Sequence, residues 1–155
     1  MKRALLAVSA VALLAGCGGG GGDDSPSKAE FKKDFAPLDT QLKAAGAEMA
    51  TVFRESAQKT DVQLSKEINS VVTHLGAVTP KLADLKAPDE IKSEYAKLNT
   101  ILAGLQKDVA GLAAAVAAHD APSSKTGAQQ IIRDSVKVKA VANRVRRAVG
   151  IAPTP

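Results

Sequence analysis

From residue 27 onward, apolar side chains recur in four runs whose spacing alternates between three and four residues. The first run is Phe31, Phe35, Leu38, Leu42, Ala45, Met49 and Val52, and the second is Leu64, Ile68, Val71, Leu75, Val78, Leu82 and Leu85. The third is Ile91, Tyr95, Leu98, Leu102, Leu105, Val109, Leu112 and Val116; the fourth is Ala128, Ile131, Ser135, Val138, Ala142, Val145 and Val149. This alternation is the seam period of helices packed in a left-handed bundle. Four stripes of similar length joined by short connectors predict an all-α, antiparallel up-down-up-down four-helix bundle over 27–150, followed by a disordered tail at 151–155.

Each predicted helix carries its own punctuation. Ser27-Lys28-Ala29-Glu30 and Thr60-Asp61-Val62-Gln63 are capping boxes that open the first two helices. Pro88-Asp89-Glu90 opens the third, because proline fits a first helical turn and acids there complement the helix dipole. The fourth starts just after Pro122 with Ser123, Ser124 or Thr126 as its cap, and Gly150 stops it. Neither Gly nor Pro separates the first two stripes, so a single long helix competes there. The first stripe's frame would put Ser56, Lys59 and Gln63 on the seam, which favours a turn at Gln58 to Asp61.

Pro37 and Pro80 fall inside helical patterns, one residue before and two residues after a seam position, so both face outward. Hairpin pairing sets Pro37 opposite about residue 82, nearly level with Pro80. Each removes one helical hydrogen bond, and the pair either bends two neighbouring helices together or is simply tolerated on the surface.

The N-terminus has a different logic. Met1-Lys2-Arg3 precedes an apolar stretch, Ala4 to Ala15, that is too short to cross a bilayer as a helix, and small residues follow. Leu14-Ala15-Gly16-Cys17 resembles the lipobox of bacterial prolipoproteins. The resemblance covers the first 17 residues. It implies that residues 1–16 are a signal peptide cut between Gly16 and Cys17, and that Cys17 carries a diacylglyceryl group and usually an acylated amine. Two or more acyl chains hold a protein stably to a membrane, whereas one does so only marginally. Residues 17–26, the lipidated cysteine with Gly18 to Gly22 and Asp23-Asp24-Ser25-Pro26, then read as a flexible tether. The expected address is extracytoplasmic: lipid-anchored to the bacterial cell membrane, or to the outer membrane in a two-membrane host, since Gly18 is not the aspartate that retains some lipoproteins at the inner membrane.

Composition refines this picture. Cys17 is the one cysteine, which excludes an intramolecular disulfide. Aromatics make up 3% of the chain and Trp is absent, which suits close-packed helices better than a β-sandwich. With Lys2 and Arg3 removed from the 21 basic residues facing 16 acids, the formal charge drops from +5 to +3. That modest excess, with few stacking side chains, argues against nucleic acid as a partner.

Enzyme signatures are missing: there is no Glu-x-x-His or His-Glu-x-x-His pair, no Cys-x-x-Cys-His and no phosphate-binding glycine loop. No cofactor, metal or catalytic residue is expected. His74 and His119 have no sequence neighbour that places a carboxylate beside them. Hairpin pairing brings Met49 within about one turn of His74, a possible axial pair for haem, but a core methionine and a half-exposed histidine account for the same residues.

The fourth helix is basic: Arg133, Lys137, Lys139, Arg144, Arg146 and Arg147 face Asp134 alone and map to the outer side of the heptad. The plain reading is a solvated face, with the last three favourable at the helix C-terminus. A functional reading follows from the topology, which puts both ends of the bundle on the tether side. Arg144, Arg146 and Arg147 would then meet anionic headgroups at the membrane surface. The expected function is a membrane-tethered, non-enzymatic lipoprotein, a structural or protein-interaction bundle whose partner is another envelope component. The alternative is an apolar ligand or lipid held within the bundle.

Overall fold

A computed structural model describes residues 25–154; the expected signal peptide with Gly16, and Cys17 with most of the expected tether, lie outside the described residues. The four stripes become α1 (Lys28–Glu55), α2 (Asp61–Asp84), α3 (Lys92–Ala117) and α4 (Ala121–Ala148) in an all-α four-helix bundle. Each apolar stripe is buried almost throughout, from Phe31 and Phe35 in α1 to Val145 in α4. These side chains form one continuous core inside the described residues, so the bundle has the makings of an independent folding unit.

The local signals explain most of the boundaries. Ser27 Oγ accepts from the Glu30 backbone N–H (3.3 Å), and the Glu30 carboxylate accepts from the Ser27 N–H (2.9 Å). Thr60 and Gln63 make the same reciprocal pair at the start of α2. Between them a 3-10 turn, Ser56–Gln58, breaks the chain where the two stripes fall out of phase. Pro37 and Pro80 both sit exposed within continuous helices.

Two starts differ from expectation. Buried Pro88 belongs to the connector, where the Ile91 N–H bonds to its carbonyl, and α3 begins only at Lys92. The cap of α4 is Asp120, whose side chain accepts from the Ser123 N–H, and Pro122 lies within the first turn, where a missing N–H costs nothing. The reason lies in how α3 ends. His119 adopts the left-handed conformation (φ 56°), its N–H reaching Val116 and that of Asp120 reaching Ala115. This Schellman closure leaves the chain already reversed at Asp120, so the next helix starts at once. Gly150 (φ 70°) closes α4 in the same way, with Ile151 N–H on the Arg146 carbonyl.

At the end of the bundle where α1 begins, Phe31 and Phe35 stack with centroids 5.3 Å apart, and Tyr95 meets both edge-on at 5.0 and 6.0 Å. The Tyr95 hydroxyl donates to the Leu82 carbonyl (2.5 Å) at the end of α2, which also accepts the Leu85 N–H. Close backbone packing runs in chain order from α1 to α2, α3 and α4, whereas α1 and α4 approach each other at few points. Among the described residues α3 alone is long and apolar enough to cross a membrane, but its leucine stripe forms the bundle interior.

Candidate functional site

The seam between α1 and α4 is held by polar groups towards the end where α1 begins. Asp39 and Arg146 are both buried, at 1% and 3% exposure. Arg146 Nε donates to the two Asp39 oxygens (2.9 and 3.1 Å) and Nη2 to Oδ1 (2.6 Å). Arg146 Nη1 donates to Asn143 Oδ1, and Asn143 in turn pairs with the backbone of Thr154, drawing the C-terminal segment back along α4. Lys43 Nζ lies 2.8 Å from Asp39 Oδ2, and Lys32 Nζ donates to the Gly150 carbonyl.

This network corrects the expectation for Arg146. Instead of facing outward, it is the centre of the α1–α4 junction, because a buried carboxylate on α1 demands a cation within reach. Arg144 and Arg147 are exposed as expected, Arg144 bonded to Glu94 on α3 (3.1 Å). The hairpin estimate for haem also dissolves. Met49 is a core residue, while His74 lies on the surface with Nδ1 2.6 Å from Glu48. His119 likewise pairs with Asp61 on α2 (2.5 Å). Both histidines therefore have carboxylate neighbours, contributed by other helices and so invisible to local sequence. Among the described residues, no three metal-ligating side chains converge.

Past the Asp39–Arg146 junction the seam opens. A cleft of about 500 Å³ runs between α1 and α4 and reaches inward to Val71 and Leu75 of α2 and Leu105 and Val109 of α3. Its α1 wall sets the small residues Gly46, Ala47 and Ala50 beside Leu42 and Met49, and a methyl group added at Gly46 would meet nothing within 4 Å. Its α4 wall includes Ser135, a seam position expected in the core but exposed here because no α1 side chain covers it. That volume lies within the range of small-molecule sites, which are usually apolar with a few placed polar groups. The charged groups here are all basic: Lys43, Lys139 and Arg146 line the cleft beside the neutral Ser135 and Thr154, and no carboxylate does.

Sequence reasoning missed this cleft, although Gly46 and Ala50 on one stripe and Ser135 on the facing seam were the available signal. No family model, no curated protein and no solved structure matches the chain.

Proposed function

We propose that the chain is a membrane-tethered, extracytoplasmic lipoprotein that works by binding and not by catalysis, taking an apolar ligand into the α1–α4 cleft. The observation that carries the ligand is the cleft itself: an apolar recess that reaches the core, unlike the groove between α1 and α2, which is lined chiefly by polar and charged side chains. The tether rests on Leu14-Ala15-Gly16-Cys17 and the glycine run that follows. Both the start of α1 and the end of α4 lie at one end of the bundle, as the Lys32–Gly150 contact attests, so the anchor would hold that end nearest the lipid. Arg144 and Arg147 are exposed there and can face anionic headgroups.

The second reading, an interaction module for another envelope protein, draws support from exposed apolar side chains. Val62 on α2 and Ile132 and Val136 on α4 have no place in the core. Isolating the lipidated protein from membranes and identifying its small-molecule and protein companions by mass spectrometry separates the two. A stoichiometric lipid supports ligand binding, and one dominant protein supports the module. Cys17→Ala tests the anchor: the protein should move from membranes to the soluble exported fraction, and unchanged membrane retention would refute lipidation.

A further inference from the structure

We propose that the α1–α4 cleft is a fatty-acid site, holding one long acyl chain in its apolar interior and the carboxylate between Lys43 and Lys139. The inference rests on reading the cleft as a ligand site and adds the chemical class of the ligand.

The chain's place follows from the walls. The interior is lined by aliphatic side chains and Met49, and Gly46 leaves the opening unobstructed. An unbranched, flexible chain can follow such a recess with little steric demand, and each methylene removed from water favours binding. A ligand with two chains and a bulky head fits a recess of about 500 Å³ poorly.

The carboxylate's place follows from charge and register. Since Asp39 meets Arg146 and the two helices run antiparallel, each residue further along α1 faces one further back along α4. Gly46, seven residues after Asp39, is therefore level with Lys139, seven before Arg146, and Lys43 lies about one turn closer to the junction. Asp39 balances only one of the three cations at this end of the cleft, and Arg146 turns its Nε, Nη1 and Nη2 towards Asp39 and Asn143. Lys139 has no acid within ion-pairing distance among the described residues and Lys43 has only Asp39. Two ammonium groups on opposite rims, with no carboxylate lining the space between, suit an anion at the mouth of an apolar recess.

A further observation agrees. Ile132 and Val136 lie on the same stripe of α4 as Lys139, seven and three residues before it, and are 54% and 65% exposed. They extend the apolar surface away from the charged end, on the side where the distal part of a chain would emerge.

The bundle, residues 25–155, is titrated with radiolabelled palmitate below its micelle concentration, with hexadecanol and monopalmitoyl lysophosphatidylcholine as competitors. The expected result is saturable one-to-one binding of palmitate, with both competitors displacing it poorly. Replacing both lysines, Lys43→Gln with Lys139→Gln, should weaken palmitate by about tenfold or more and leave hexadecanol unchanged. Gly46→Leu, which fills the opening at a helical position with free space, should abolish binding while the circular-dichroism spectrum stays helical. If hexadecanol binds as tightly as palmitate and the lysine variants bind like the parent, the carboxylate assignment is overturned and the apolar cleft stands. Tighter binding of the lysophospholipid overturns the ligand class. If Gly46→Leu binds like the parent, the cleft is not the site and the ligand reading of the cleft fails; if none of the three probes binds, the fatty-acid class is overturned, and the ligand reading stands or falls on the small molecules isolated with the protein.

Discussion

Asp39 and Arg146 lie 107 residues apart in sequence, yet form a buried pair with three short contacts that joins the first helix to the last. Two charges taken out of water are stable only while each compensates the other, so removing one is more damaging than removing both. Asp39→Ala should lower the unfolding free energy by about 3–5 kcal/mol. The double variant Asp39→Leu with Arg146→Met should recover most of that loss. Urea denaturation of the single and double variants decides it, and equal losses in both would remove the pair from its structural role.

Thr79 is 8% exposed and its hydroxyl has no hydrogen-bond partner. A buried hydroxyl without a partner costs free energy, and valine has nearly the same shape without it. Thr79→Val should therefore stabilise the bundle by about 1 kcal/mol, read as a higher Tm at unchanged helical content.

Asp108 on α3 has its carboxyl pushed above the ordinary 3.8, first by burial and then by the neighbouring Asp134. Asp134 moves the other way, chiefly because Lys137 donates to it. An acid whose folded pKa is raised penalises the fold at every pH above the folded value. The penalty fades below the unfolded value, where the group is protonated in both states. Asp108→Asn should thus raise Tm at pH 7, and the gain should shrink towards zero near pH 3. The opposite sign holds for Asp134, whose stabilising contribution is complete above its unfolded value and is lost as pH falls through its lowered one. A pH-independent gain from Asp108→Asn would show that Asp108's charge is not the cause.

His119 closes α3 in a left-handed conformation that suits glycine better than any residue with a side chain. His119→Gly should gain up to about 1 kcal/mol from the backbone, less whatever the contact with Asp61 contributes. The companion variant Asp61→Ala separates the two contributions. If His119→Gly destabilises the parent and the Asp61→Ala background equally, the strain argument is wrong.

Much of the architecture was legible because it is encoded locally. Four stripes with one period fixed the number of helices, and the reciprocal bonds of Ser27 with Glu30 and Thr60 with Gln63 span only three residues. The start of α4 was misread because the sequence offers several capping side chains, and the backbone reversal at His119 decides among them. Arg146 was misread for the opposite reason: heptad position puts it outside, and only a distant buried Asp39 draws it in. The cleft escaped because periodicity describes each helix singly. Four matched stripes imply a closed bundle, while the gap between α1 and α4 depends on the small Gly46 and Ala50 meeting Ser135, a relationship between helices at opposite ends of the chain.

The position of Tyr95 gives the molecule an optical reporter of its own. With one tyrosine and no tryptophan, near-ultraviolet emission comes from a single site, set against Phe31 and Phe35 at the end where α1 begins. Burial drives the phenol's ionisation well above its usual range, so tyrosinate absorbance in alkaline solution should rise only as that end of the bundle comes apart. Intrinsic fluorescence will follow the opening of the aromatic end alone, and will be blind to whatever enters the seam farther along.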